Sequence, residues 1–304
     1  MSWTLEVRHV TEYRYANPVS FGEHRLMFRP RAGHDIRVLD DSLTVSPEAD
    51  VHWIQDVFSN SVALVKPRWS ADRFRVDCGF VIEHAGIPNL ELPIEPRAAQ
   101  WPFDYTAEER RDLAALLDPH YGDPDGRLHE WMRPFLFGPG RPGTRETLVA
   151  MTNAIKAQFR YQRRDQEGTQ SPDETLRLGS GTCRDFALLL MEAARRMGIA
   201  SRFVSGYLYD PAVDGDVGEL LGAGATHAWV HVYLPGAGWV PFDPTNSLFG
   251  GASLIRVAVA RDPSQAAPLT GSWFGAPGDF LGLHVEVTVR RRKAFSSPQS
   301  LPGA

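Results

Sequence analysis

The stretch GSGTCRDFALLLMEAARRMG, residues 179–198, carries Cys183, one of only two cysteines in the chain. Thr182 and Asp185 form a T-x-x-D pair that predicts an N-cap and the third residue of a helix, which puts Cys183 at the first helical position. Backbone N–H groups lack intrahelical partners there, and the positive end of the helix dipole favours the thiolate, the nucleophilic form of the side chain. Asp185 reads as a capping residue whose charge opposes the thiolate, and Arg184 as an exposed arginine. The helix is expected to run to Met197, burying Phe186, Leu190, Ala193, Ala194 and Met197 as one stripe, with Gly198 stopping it.

A thiol nucleophile needs an imidazole to take its proton, and the imidazole needs a third group to orient it. Downstream lies THAWVHVYLPGAGWVPFDPTN, residues 226–246, which alternates as two strands around a PGAG turn. His227, Trp229, His231 and Tyr233 share one face of the first strand, while Trp239, Pro241 and Asp243 share a face of the second. A three-residue loop, 235–237, pairs Leu234 with Gly238 and brings Asp243 diagonal to His227. Diagonal neighbours lie about 7–8 Å apart, within reach of two side chains leaning together. A four-residue loop sends them to opposite faces, so the register stays open. His231 reads as a strand residue, and Asp243 before Pro244 also suits a simple turn.

Other chemistries are weaker. Cys183, His227 and Asp243 could ligate zinc, yet no C-x-x-C or H-x-x-x-H spacing accompanies them. The run DPAVDGDVGE, residues 210–219, lacks calcium-loop spacing and reads as a surface loop over a cleft. RRRK at 290–293 reads as a solvated strand end, and Cys78 as a packed residue inside a strand.

The elements that must position Cys183, His227 and Asp243 fall into two halves. Over the first hundred residues, TLEVRHVTEYRY, DDSLTVSP, DVHWIQDVFSNSVALVKP and DRFRVDCGFVIEHA have period-two character between turn residues, as in an antiparallel sandwich. A proline-rich junction, GIPNLELPIEPRAAQWP, follows. Helical patterns then appear in TAEERRDLAALLDPHY, TRETLVAMTNAIKAQFRY and SPDETLRLG, the last capped by Ser171 and closed by Gly179. After the cysteine helix come SRFVSGYLYD, the hairpin, SLIRVAVAR and a terminal LHVEVTVRRR, all strand-like. A length of 304 residues suits two domains. A net charge of −5 excludes a general nucleic-acid binder with a basic face. No apolar run is long enough to span a bilayer, and the N-terminus lacks signal-peptide character. A cytoplasmic, reducing setting is therefore expected, in which a free thiol persists.

Taken with their flanks YQRRDQEGTQSPDETL and IRVAVARDPSQAAPLTGSWFG, the two central motifs resemble the bacterial transglutaminase-like family, which includes cysteine-protease-like proteins. YRYANPVSFGEHRLMFRPR resembles the β-rich region that precedes the core in that family. The resemblance implies an α+β fold: an antiparallel β-sandwich over residues 1–98, then a papain-like transglutaminase core with C-terminal strands over 99–304. It implies Cys183 as nucleophile, His227 as base and Asp243 as orienting group, acting through a thioester on a peptide or glutamine-type amide. Tyr161, Gln162 and Trp229 are candidates for the cleft or for a side-chain oxyanion donor. Two departures stand out: His231, where the family more often has an acidic residue, and Arg184, where many members have glutamine. The acceptor, water or an amine, is left open, so a peptidase or amidase remains alongside a transferase. A catalytically silent peptide-binding protein is the rival from another class. No cofactor, metal, membrane or nucleic-acid partner is expected, and a peptide or protein is the expected substrate.

Overall fold

The computed structural model describes residues 2–86, 93–138, 140–164, 168–214, 220–222, 224–251 and 253–292. Parts of the expected junction and of the 210–219 loop, and Lys293, lie outside the described residues.

The N-terminal half is two antiparallel sheets. β1 (Trp3–Phe21), β2 (His24–Leu26), β3 (Ile36–Ser46), β4 (Ala49–Gln55), β5 (Ser61–Pro67) and β6 (Ala71–His84) come first. β1 pairs β6 along almost its whole length, β6 pairs β3, and β2, β5 and β4 form the second sheet. Rings of Phe21, His24 and Phe74 meet between these sheets, with His24 and Phe74 centroids 4.3 Å apart.

The middle of the chain is helical. α1 (Ala107–Asp112) and α2 (Ala114–Leu117) break at Leu113 where one helical run was expected, and α3 (Arg127–Leu136) has no counterpart in the sequence reading. Pro134 inside α3 and the polar Asp-Gly-rich run before it mask its periodicity. α4 (Thr144–Gln158) follows; β7 (Arg160–Tyr161) pairs in parallel with β8 (Ser180–Gly181) around α5 (Pro172–Leu178). Ser171 Oγ accepts from the N–H of Glu174, and Gly179 closes α5, as its sequence predicts.

α6 (Cys183–Arg196) is the central helix. Its Leu/Ala/Met-rich run has high helix propensity. A Schellman turn ends it: Ile199 N–H reaches Ala194 O at 2.9 Å and Gly198 N–H reaches Arg195 O at 2.8 Å. Gly198 takes φ +75°, where a Cβ is penalised. The expected single stripe is too narrow. α6 is buried nearly all round, because α4 and α5 cover the side that the sheet leaves free. Even its charged pair is internal: Arg195 Nη1 bonds Glu192 Oε1 at 2.9 Å with both side chains fully buried.

The sheet beneath α6 is antiparallel. It comprises β9 (Ser201–Leu208), β10 (Thr226–Leu234), β11 (Gly238–Asp243), β12 (Leu248–Phe249) and β13 (Leu254–Ala260), ordered β12-β11-β10-β9-β13. Ala228, Val230, Val232 and Leu234 join the core that contains α6, whereas Trp229 packs with Val204, Leu208, Leu254 and Val259. β14 (Leu269–Thr270), β15 (Trp273–Phe274) and β16 (Phe280–Arg291) carry the chain back, β14 onto β2 and the other two onto β1. β13 is the sheet's edge, and the N-terminal half binds it. Asn60 exchanges two hydrogen bonds with the Val259 backbone at 2.8 and 2.9 Å, Arg31 N–H donates to Arg256 O, and His84 Nε2 donates to Leu254 O.

Candidate active site

Cys183 begins α6 and is 7% exposed. Asp185 is fully buried, and its Oδ2 accepts from both the N–H and the hydroxyl of Thr182, at 2.7 and 2.9 Å. Its other oxygen takes the N–H of Gln170, and Arg164 bonds both oxygens. Asp185 is thus a cap, as expected, and also the anchor of the segment leading into α5.

The hairpin of β10 and β11 has the three-residue loop. Leu234 pairs Gly238 and Val230 pairs Phe242, so the same offset sets Asp243 beside Trp229 and on the face of His227. His227 Nε2 lies 2.8 Å from Asp243 Oδ2 with both side chains fully buried. Nδ1, the other ring nitrogen, has no hydrogen-bond partner among the described residues, and Cys183 lies close enough to favour the charged ring electrostatically. Burial works against the imidazolium, but Asp243 and then Cys183 outweigh it, raising His227 to about 10. Asp243 is shifted the other way: burial opposes its charge, while His227, Asn246 and the N–H of Thr245 hold its carboxyl below the usual range. His227 and Asp243 are therefore joined directly, with Cys183 at the start of α6 in their electrostatic neighbourhood.

Of the three cleft candidates, two lie close to this group. The β7–β8 ladder holds Tyr161 next to Gly181, and burial followed by the neighbouring Cys183 pushes its phenol up to about 12. Trp229 stacks on His227 at 27° with centroids 6.0 Å apart, and its buried Nε1 has no partner. Gln162 is exposed and its side chain accepts from Arg160. Arg184 is exposed, as expected. His231 is buried beyond Trp229, with Nδ1 3.4 Å from Arg202 Nη2. The other cysteine, Cys78, is buried in β6 and pushed to about 12, chiefly by burial.

Two neighbours escaped the sequence reading. Asn246 Nδ2 donates to Asp243 Oδ2 at 2.9 Å and to Leu221 O at 3.1 Å, while its Oδ1 accepts from Leu221 N–H at 2.8 Å. The D-P-T-N run is a turn signal that could have drawn notice to it. Gly222 takes φ +91°, and a Cβ there would lie 2.9 Å from His227 Nδ1. Nothing local in the sequence marks that approach.

The chain matches two described families: the transglutaminase-like superfamily over residues 138–244 and the bacterial transglutaminase-like N-terminal region over residues 5–83. An uncharacterised protein of Mycobacterium leprae is 27% identical over 301 residues, covering 94% of this chain and 99% of its own. One of Mycobacterium tuberculosis is 28% identical over 273 residues, covering 87% and 86%. The crystal structure of a "putative cysteine protease" from Cytophaga hutchinsonii superposes with a TM-score of 0.69 at 20% identity, covering 95% of this chain and 91% of that one, and shares the fold. With the cysteine helix packed on the His- and Asp-bearing sheet, the chain carries a transglutaminase-like core over residues 138–244, preceded by the bacterial transglutaminase-like N-terminal region over residues 5–83.

Proposed function

We propose that the protein is a thiol acyl-transfer enzyme in which Cys183, His227 and Asp243 act as a triad on a peptide or glutamine-type amide. The observation that carries this reading is the buried His227–Asp243 hydrogen bond at 2.8 Å, with Cys183 among the groups that raise the proton affinity of the ring. The thiolate adds to the amide carbonyl, and the Cys183 N–H at the helix start serves the developing oxyanion. The imidazolium gives its proton to the leaving nitrogen as the C–N bond breaks, leaving a thioester and a neutral ring. Water or an amine then attacks, passing a proton to His227 while the C–S bond breaks and the thiolate returns. Asp243 keeps the ring oriented throughout. Tyr161, protonated at neutral pH, serves as a cleft wall near the sulfur and Trp229 backs the imidazole; the exposed, partnered Gln162 is the weakest of the three contacts. A reducing compartment suits this chemistry, since the sulfur must stay a free thiol.

A peptidase or amidase with water as acceptor uses the same thioester and is the second reading. A peptide library incubated with and without a primary amine, read by mass spectrometry, separates them. Amine incorporation identifies a transferase, conversion of glutamine to glutamate a deamidase, and backbone cleavage a peptidase. No product of any kind that is lost on Cys183→Ala would leave the silent peptide-binding reading in its place.

A further inference from the structure

Behind Trp229, on the side away from His227, lies a cavity of about 400 Å³ between the sheet and the N-terminal half. Trp229 separates the two sites, its ring 6.0 Å from that of His227 and 6.5 Å from that of His231. Three guanidinium groups line the cavity, from Arg31, Arg202 and Arg256, against one carboxylate among the described residues, Asp35. Asp35 is committed: both its oxygens bond Arg256, at 2.5 and 2.7 Å. Among the described residues Arg31 donates to neutral acceptors, the Phe58 carbonyl at 2.7 Å and Asn60 Oδ1 at 2.8 Å, while the Asp56 carboxylate acts on its charge without a direct bond.

Arg202 is the most exceptional of the three. It lies over the Trp239 ring at 4.0 Å, and its Nη2 is 3.4 Å from His231 Nδ1. Its Nε is buried without a partner, and none of the ion pairs among the described residues includes it. Burial and then the charges of Arg31 and Arg256 pull it down to about 9, a heavy penalty for a group that normally stays charged. His231 is driven well below its ordinary value by burial and by the same arginines, so it faces the cavity neutral. Trp229, which also lines the cavity, has a buried indole N–H with no acceptor among the described residues. Three partly buried guanidinium groups against one committed carboxylate leave a surplus of positive charge that an anion would offset.

We infer that this cavity is a binding site for a small oxyanion, a carboxylate or phosphate group, held by Arg202 and Arg31 beneath Trp229. Planar guanidinium donors match such groups in geometry as well as in charge. A second cavity, of about 970 Å³, adjoins it and shares Arg31, Ala32, His34 and Asp35. The site is distinct from the sulfur and is independent of the acyl-transfer proposal.

The test is calorimetric titration of the full chain with succinate and, separately, inorganic phosphate, at ionic strength held constant with sodium chloride. Saturable binding of either anion, absent for the uncharged succinamide, is the expected result, and the stronger of the two names the source of the oxyanion. Arg202→Gln and Arg31→Gln should each weaken it at least about tenfold, while Arg290→Gln, at an exposed position of β16, leaves it unchanged. Two variants guard against one failing to fold. Absence of saturable binding for both anions in the unmodified protein overturns the inference, as does binding indifferent to both substitutions. The measurement needs no turnover, so its outcome stands whether or not Cys183 proves to be a nucleophile.

Discussion

Asn246 donates its side-chain amide to Oδ2 of Asp243 at 2.9 Å, the same oxygen that His227 Nε2 approaches at 2.8 Å. Through its other bonds Asn246 also grips the backbone of Leu221, one residue before the glycine that lies against the imidazole. One side chain thus ties the orienting carboxylate to the segment covering the ring. Asn246→Ala should cost about 1–3 kcal/mol of stability, the usual penalty for stripping partners from buried polar groups. It should also lower kcat more than it raises KM. Asn246→Asp should be worse, because it sets a second carboxylate against Asp243. Urea unfolding and steady-state kinetics on a peptide amide check both effects.

Gly222→Ala tests the contact from the other side. The substitution strains a φ of +91° and pushes a methyl group to 2.9 Å from Nδ1 of His227, so the ring must move. A displacement of about 1 Å from a reacting geometry costs on the order of 100-fold in turnover. Turnover should therefore fall far more than the melting temperature does, and equal losses in both would point to simple unfolding of the loop.

The two cysteines should differ sharply toward iodoacetamide near neutral pH. Burial in β6 favours the protonated form of Cys78, whereas Cys183 opens α6 in the neighbourhood of His227. Mass spectrometry after brief labelling should find the adduct on Cys183 and almost none on Cys78. Cys183→Ala should abolish both labelling and turnover and leave the unfolding transition in place. Residual turnover in that variant counts against the nucleophile assignment.

Stability should depend on pH through His227. Its folded-state pKa is raised to about 10, so its protonation favours the native state. That contribution is complete below the unfolded value, about 6.5, and disappears as the pH rises through about 10. Asp243, whose pKa is lowered, contributes in the opposite sense, above the unfolded carboxylate value and not in acid. Denaturant unfolding between neutral and alkaline pH should show a decline that His227→Gln flattens.

Arg195→Met probes the framework. The substitution strands Glu192 inside α6 beside only the backbone N–H groups of His120 and Tyr121. Losing one partner of a buried pair costs about 3–5 kcal/mol, and Arg195→Met/Glu192→Gln should recover part of it. Chemical unfolding of the single and double variants measures the difference.

Local physics was readable from the sequence. Thr182, Asp185 and the apolar run after them specify a helix that starts at Cys183, because caps and propensities act within a few residues. Ser171 and Gly179 likewise delimit α5, and alternation marks β10 and β11 and the residues that share a face on each. The hairpin register was limited by sequence to two parities, and the three-residue loop selects the one that places Asp243 against His227. What depended on the tertiary structure are contacts between segments far apart in the chain. The approach of Gly222 to Nδ1, the all-round burial of α6, and the return of β16 to β1 leave no periodic trace. The gathering of Arg31 with Arg202 and Arg256 belongs with them, since each arginine alone reads as ordinary surface charge. Only when the N-terminal half packs against the sheet are the three brought around one cavity and partly withdrawn from water.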